Sequence, residues 1–145
     1  MAVTVESLTE VNDEIVEAFD RLLPQLSSTA KRLSREALAE LLSAESTTIL
    51  VARSGGKSVG TLSLVMFPIP SGLRARVEDV VVDDSARGKG IGASLIEEAK
   101  AQASAAGART VDLTSRVSRE AANRLYERLE FQPRESRVYR YTPTD

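Results

Sequence analysis

Glycine and basic residues alternate in a short segment between a valine-rich stretch and an amphipathic one. The valine-rich stretch ends at Val82, and the segment that follows contains Arg87, Gly88, Lys89, Gly90 and Gly92. Glycine lets successive backbone N–H groups near a helix N-terminus approach an anion, and Arg87 and Lys89 add positive charge there. The order strand, turn, helix therefore predicts a pyrophosphate-binding turn. It is not a Walker A loop, because no Gly-Lys-Ser/Thr sequence closes it.

The sequence contains no cysteine and no histidine. Their absence excludes a thiol nucleophile, a zinc–thiolate site and an imidazole base. Any catalysis must use carboxylate, tyrosine, lysine, hydroxyl or backbone groups. We expect no metal, because Asp83 and Asp84 have no evident third ligand.

Length and charge limit the classes of protein that fit. The chain has 145 residues, which predicts one domain spanning 1–145. Its 19 basic and 21 acidic residues give a net charge of −2, which argues against a nucleic-acid partner. No run of about 18 apolar residues and no signal peptide is visible, so we expect no membrane association and a cytoplasmic location.

Hydrophobic periodicity predicts an α/β protein with a mixed sheet and helices on both of its faces. The predicted order is β-α-α-β-β-β-α-β-α-β-β. It includes a hairpin at Gly55-Gly56, a strand at 74–82, a strand at 109–115 and a final pair of strands within 132–142.

This order, the Arg87-x-x-Gly90-x-Gly92 turn and the pair Asn123-x-x-Tyr126 resemble the GCN5-related N-acetyltransferase (GNAT) superfamily. The resemblance covers residues 47–141 best. Residues 77–83 and the RGKGIG turn also resemble glucosamine-6-phosphate N-acetyltransferases locally. The resemblance implies the GNAT-like fold and an acyltransferase that moves acetyl from acetyl-CoA to a small-molecule or peptide amine, and homodimers are common in the family.

The resemblance also implies roles for particular residues. The pantetheine arm would pair with backbone groups of Val80 and Val82, and Tyr126 would protonate the leaving thiolate. The implied cofactor-binding residues are Val80, Val81, Val82, Arg87, Gly88, Lys89, Gly90, Ile91, Gly92, Ala93 and Asn123.

The base that accepts the amine proton should be a carboxylate near the turn, acting directly or through water. Neighbouring residues of a regular strand point to opposite faces, so only one of Glu78 and Asp79 can face the cleft directly. We favour Glu78, since in a regular strand it shares a face with Val80 and Val82. Asp79 and a water molecule remain alternatives.

Other interpretations stay open. A non-catalytic acyl-CoA-binding regulatory module could have the same fold, and a phosphate-binding protein without CoA would also use the turn. The acceptor amine is unresolved, and we expect its specificity to lie in 26–35, 67–76 and the C-terminal segment. One departure from the family is that Glu130, not glycine, precedes Phe131. A left-handed turn at this position would strain a glutamate.

Overall fold

Five strands form a single sheet in the first part of the chain. The computed structural model describes residues 2–144, which fall into two units, Met1–Thr114 and Ser115–Asp145. The strands are β1 (Val3–Ser7), β2 (Thr47–Ser54), β3 (Lys57–Ile69), β4 (Gly72–Val82) and β5 (Val111–Asp112). They lie side by side in chain order, antiparallel except for the parallel pair β4 and β5. The predicted mixed sheet is confirmed.

Three helices accompany this sheet: α1 (Asp13–Leu26), α2 (Arg35–Ser43) and α3 (Ile91–Ala105). The first two begin at side-chain caps, because Asn12 Oδ1 accepts from the Ile15 N–H at 2.9 Å and Ser34 Oγ accepts from the Ala37 N–H at 3.0 Å. A short 3₁₀ turn, Asp84–Ala86, lies between β4 and α3. The segment from β4 through α3 to β5 is thus one β-α-β unit.

The helices cover opposite faces of the sheet. Ile49 and Val51 of β2 are buried with Ile15 and Phe19 of α1 and Leu38 of α2. On the other face, a Cβ added at Gly60 of β3 would lie 3.1 Å from Ile91 and 3.2 Å from Leu95 of α3. Glycine at this position therefore lets α3 approach the strand closely.

The turn between β2 and β3 is formed by Gly55 and Gly56, whose φ angles are 60° and 79°. Two successive positive φ angles match the twist of the flanking strands. The predicted hairpin is confirmed.

The second unit contains α4 (Glu120–Arg128) and no strand among its described residues, 115–144. The prediction of a final strand pair within 132–142 is therefore wrong, and β5 is shorter than the predicted 109–115. Valine and tyrosine favour strands only where a ladder forms and one face is buried. Here Val138, Tyr139 and Tyr141 are 70%, 86% and 84% exposed.

Candidate active site

The outer edge of β4 is unpaired where the sequence predicts a pantetheine-binding strand. The parallel pairing with β5 ends at Arg76, opposite Asp112, so residues 77–82 have no strand beside them on that edge among the residues the structure describes. The Asp83 N–H donates to the Val59 carbonyl of β3 at 2.8 Å. Since antiparallel pairs alternate, the backbone groups of Val82 point away from β3, towards the open edge.

A bulge interrupts β4 between Glu78 and Val81. The register shifts between Thr61 and Ser63 of β3, and Asp79 of β4 has a φ angle of 49°. One extra residue in β4 reverses the side-chain alternation beyond it. Glu78 lies opposite Ser63, whereas Val82 lies opposite Gly60, and these two partners point to different faces of β3. The expectation that Glu78 shares a face with Val82 is therefore wrong, because it assumed a regular strand.

The two candidate bases have different surroundings. Glu78 Oε2 accepts from Arg76 Nε at 2.8 Å, and Arg76 Nη2 also donates to Thr114 Oγ1 at 2.9 Å. Partial burial of its carboxylate raises the pKa of Asp79 above its ordinary value, and the negative charge of Glu78 raises it further. Asp79 thus binds a proton more readily than an ordinary aspartate, while Glu78 is held by a guanidinium.

The predicted pyrophosphate turn ends in an uncapped helix. Gly90 is the N-cap of α3 with a φ angle of 75°, and no side chain caps the helix there. The first regular bond of α3 joins the Ser94 N–H to the Gly90 carbonyl at 3.0 Å. The amides of Ile91, Gly92 and Ala93 precede that bond, and the first amides of a helix have no intrahelical acceptor. They are available to an anion at the positive end of the helix dipole.

The space around the turn is open. No heavy atom lies within 4 Å of a Cβ placed on Gly88 or Gly90. Arg87 pairs with Asp84 at 2.9 Å, and both side chains are largely exposed. Lys89 is exposed and makes no ion pair with any residue in 2–144. A phosphate could therefore reach the amides, with the free charge of Lys89 beside it.

A buried ion pair at the start of the turn was missed by the sequence analysis, which took Asp83 for a loop residue. Asp83 is only 5% exposed, and its Oδ2 accepts from Arg21 Nε of α1 at 2.9 Å. The Ser85 backbone N–H, with a further contribution from Arg21, holds the pKa of the Asp83 carboxyl below its ordinary value against the opposing effect of burial. No spacing rule links residues 62 positions apart, so the sequence offered no signal for this pair.

The second unit places Asn123 and Tyr126 one turn apart on α4. Asn123 Nδ2 donates to the Arg116 carbonyl at 3.0 Å and so helps to fix the turn before the helix. Tyr126 is half-buried, and its ring packs edge-on against Phe131, with centroids 6.1 Å apart.

The C-terminus of α4 explains this ring contact. The Phe131 N–H donates to the Tyr126 carbonyl and the Glu130 N–H to the Glu127 carbonyl, at 3.0 and 3.1 Å. This is a Schellman motif, in which the residue before Phe131 is left-handed. Glu130 has a φ angle of 72°, so the glutamate occupies the left-handed position that favours glycine.

A cavity of about 380 Å³ lies at the joint between α1 and α2. This joint is one of the segments where we expect the acceptor amine to be recognised. Asp20 on its wall pairs with Arg32 at 2.9 Å. None of the residues predicted to bind the cofactor or to catalyse lines it. The lining residues are Phe19, Asp20, Leu23, Pro24, Ala30, Lys31 and Arg32.

Among 2–144, no group of three or more acidic side chains is arranged to hold a metal ion. No helix in that range has both the length and the apolar character needed to cross a membrane.

Comparison with known proteins supplies independent information. The family model described as "Acetyltransferase (GNAT) family" matches residues 10–131. No curated protein matches the sequence.

Solved structures are similar over nearly the whole chain. A transcriptional regulator from Bacillus halodurans C-125 is 27% identical with a TM-score of 0.79, covering 97% of this chain and 100% of its own. A ribosomal-protein-alanine N-acetyltransferase from Brucella melitensis biovar Abortus 2308 is 26% identical with a TM-score of 0.75 and the same coverage. An aminoglycoside acetyltransferase from an uncultured soil metagenomic sample is 22% identical with a TM-score of 0.85, covering 99% of this chain and 97% of its own, and supports the fold alone.

Proposed function

Because this chain belongs to the GNAT acetyltransferase family, we propose that it transfers the acetyl group of acetyl-CoA to a primary amine while both substrates are bound. One observation carries the proposal. The unpaired edge of β4 at Val80 and Val82 continues along the chain into the uncapped N-terminus of α3. The extended pantetheine arm, which contains amides, can pair with an unpaired strand edge. The pyrophosphate, which is joined to that arm in CoA, can bind the free backbone N–H groups at the start of the helix.

The donor fits the residues of this segment. Backbone groups of Val80 and Val82 would pair with the amides of pantetheine as a further strand would. The amides from Arg87 to Ala93 would bind the pyrophosphate, with Lys89 contributing charge. Acetyl-CoA supplies the activated thioester, and the sequence, which has no cysteine, offers no thiol to carry the acetyl group in between.

In the proposed reaction the amine nitrogen attacks the thioester carbon, a C–N bond forms and the C–S bond breaks. The amine proton passes to a carboxylate of the Glu78–Asp79 step, directly or through water, and Tyr126 gives its phenolic proton to the leaving sulfur. A backbone N–H left free by the bulge would polarise the thioester carbonyl.

Two adjacent carboxylates, Glu78 and Asp79, are candidates for the base. Asp79 gains support from its raised pKa and its position in the bulge. Glu78 remains a candidate, although its carboxylate is already paired with the Arg76 guanidinium at 2.8 Å. Comparing Glu78→Gln with Asp79→Asn separates them, because the variant at the base should lose kcat with little change in acetyl-CoA affinity.

The single most informative experiment is isothermal titration of the protein with acetyl-CoA, with CoA, ADP and inorganic phosphate as controls. We expect micromolar binding of acetyl-CoA and CoA and much weaker binding of the two fragments. No binding of acetyl-CoA would refute the proposal. Equally tight binding of phosphate would instead favour a phosphate-binding protein.

A non-catalytic acyl-CoA-binding module is the second candidate. The packing of Tyr126 on Phe131 in the cap of α4 favours it, because this contact gives the tyrosine a structural role that needs no catalysis. An amine panel distinguishes the two. It should include an aminoglycoside, a peptide with an N-terminal alanine, a lysine peptide, an amino acid and an amino sugar. Acetyl-CoA binding without transfer to any amine would favour the module.

Tyr126→Phe tests the acid directly. Phenylalanine keeps the ring contact with Phe131 and removes only the hydroxyl, so we expect kcat to fall by about 10²-fold or more while acetyl-CoA affinity and thermal stability stay near wild type. Unchanged turnover, with chemistry shown to be rate-limiting, would remove Tyr126 from the mechanism.

A further inference from the structure

The part of the turn that would meet the pyrophosphate has little support of its own. Gly88 and Gly90 both adopt positive φ angles and have no heavy atom near their Cβ positions. The one ion pair there, between Arg87 and Asp84, joins two exposed side chains, and such pairs contribute little. The conformation of 87–90 therefore depends on the segments that flank it, which are the buried start of α3 at Ile91 on one side and the residues that follow β4 on the other.

The start of the turn is anchored by a buried carboxylate. Asp83 Oδ1 accepts from the Ser85 N–H at 3.1 Å and from Ser85 Oγ at 3.0 Å, and the Ala86 N–H donates to the Asp83 carbonyl at 2.8 Å. These bonds wind the 3₁₀ turn Asp84–Ala86. Ala86 itself is 5% exposed, so the anchor ends on a buried residue, next to Arg87.

Two side chains of α1 hold this anchor from outside. Arg21 Nε donates to Asp83 Oδ2, and its Nη2 donates to the Ser58 carbonyl of β3 at 2.5 Å. Gln25, one helical turn further on, accepts from the Asp84 N–H through its Oε1 at 2.7 Å. One face of α1 thus fixes the Asp83 carboxylate and the Asp84 N–H, and Arg21 also links the carboxylate to the neighbouring strand β3.

We propose that Arg21 and Gln25 are positioning residues for the pyrophosphate turn. They touch neither the acetyl group nor the amine. Through Asp83 and Asp84 they hold the turn in the conformation that directs its amides at the donor. The inference rests on the proposed function, and it adds that affinity for the pyrophosphate half of the donor depends on α1.

A specific pattern of binding follows. Loosening the anchor should weaken CoA, which contains the pyrophosphate, and should leave acetyl-pantetheine, which lacks it, unaffected. In turnover the KM for acetyl-CoA should rise with kcat unchanged, since an interaction made equally in the ground and transition states is lost. A residue that only supported the fold would not separate the two donors.

The variants are Gln25→Ala and Arg21→Lys. Gln25→Ala removes the acceptor for the Asp84 N–H and also the bond that Gln25 Nε2 donates to the Arg21 carbonyl. Arg21→Lys keeps the charge and loses the guanidinium that bridges Asp83, Ser58 and Glu17. Arg53→Lys is the matched control, because Arg53 also joins partners on different elements, Glu6 of β1 at 2.6 Å and Glu14 of α1 at 2.8 Å, and neither partner belongs to the turn. Arg21 and Arg53 side chains are similarly exposed, at 21% and 24%.

The measurements are calorimetric titration with CoA, an NMR titration with acetyl-pantetheine and thermal unfolding of each variant. We expect CoA to bind about fivefold more weakly in Gln25→Ala and about tenfold more weakly in Arg21→Lys. Arg53→Lys should bind CoA like the wild type, and acetyl-pantetheine should bind all four proteins alike. If Arg21→Lys fails to fold, Gln25→Ala decides the question alone.

Each other outcome is decisive. Wild-type CoA affinity in both α1 variants, or an equal loss in Arg53→Lys, overturns the positioning role and leaves the proposed function standing. Equal weakening of CoA and acetyl-pantetheine also overturns it, because the whole donor site has then changed. A wild-type protein that does not bind CoA overturns the proposed function itself, and the positioning role falls with it.

Discussion

Replacing four glycines by alanine, one at a time, separates the cost of backbone strain from the loss of a ligand site. Gly56, Gly88, Gly90 and Gly107 have φ angles of 79°, 81°, 75° and 84°. A Cβ added at any of them has no heavy atom within 4 Å. An added methyl group therefore causes no steric clash within the protein at any of the four positions. The cost of each alanine comes only from its left-handed backbone conformation.

The expected cost in stability is the same for all four variants. An alanine in the left-handed region costs about 1–2 kcal/mol. The reduced entropy of the unfolded chain offsets about 0.4–1 kcal/mol of this. A net loss of about 1 kcal/mol should follow at each position, measured by urea unfolding.

Acetyl-CoA binding should divide the variants into two pairs. At Gly88 and Gly90 the open space beside the backbone is where we place the pyrophosphate, so a methyl group there obstructs its approach. We expect the dissociation constant to rise at least tenfold, equivalent to about 1.4 kcal/mol. Gly56 lies in the β2–β3 hairpin and Gly107 follows α3, so their variants should bind normally.

Titration calorimetry with acetyl-CoA at a temperature where all four variants are folded is the assay. Normal binding by Gly90→Ala and Gly88→Ala would refute the assignment of the turn. Equal loss of binding in Gly56→Ala would show that the loss of affinity comes from reduced stability and not from an obstructed ligand site.

Two further predictions concern non-glycine residues with left-handed backbones. Glu130→Gly should stabilise the protein by about 0.5–1 kcal/mol in urea unfolding, because glycine relieves the cap of α4, and should leave activity unchanged; a loss of stability would contradict the strain. Asp79→Asn should stabilise the protein, since it removes a partly buried charge beside Glu78, while asparagine tolerates this backbone as aspartate does. The raised pKa of Asp79 fixes the sign of the pH dependence. The folded state holds the proton more tightly, so the wild type loses stability relative to the variant as pH rises through the ordinary aspartate range towards the folded pKa. The difference in unfolding free energy between the variant and the wild type should disappear in more acid solution. A difference that does not change with pH would show that the charge of Asp79 is not its cause.

The features predicted correctly from the sequence are those determined by nearby residues. The connection from β4 to α3 needs glycines at its left-handed positions, Gly88 and Gly90, and these lie within a few positions of the strand and the helix that they join. The hairpin at Gly55-Gly56 and the cap at Ser34 are equally local. Short-range backbone geometry is encoded by the residues that adopt it.

The features that were missed depend on partners distant in sequence. The bulge in β4 exists only relative to β3, so regular alternation put Glu78 on the wrong face. The ion pair of Arg21 and Asp83 joins α1 to the residue that follows β4, and no periodic pattern in the sequence indicates it. Residues 132–142 have strand-like composition, yet a strand also requires a neighbouring strand to pair with. Each error has the same cause, because a local pattern cannot report a long-range partner.

Asp79 and Glu130 are the two non-glycine residues with positive φ angles in the described part of the chain. Glu130 has a structural explanation, because the Schellman motif requires a left-handed residue and its hydrogen bonds are formed. Asp79 is the left-handed residue of the β4 bulge, beside an unpaired strand edge, and its carboxyl pKa is raised. Bulges and unusual backbone conformations tend to occur at functional sites. Glu130→Gly should therefore improve stability alone, whereas Asp79→Asn should improve stability while activity falls.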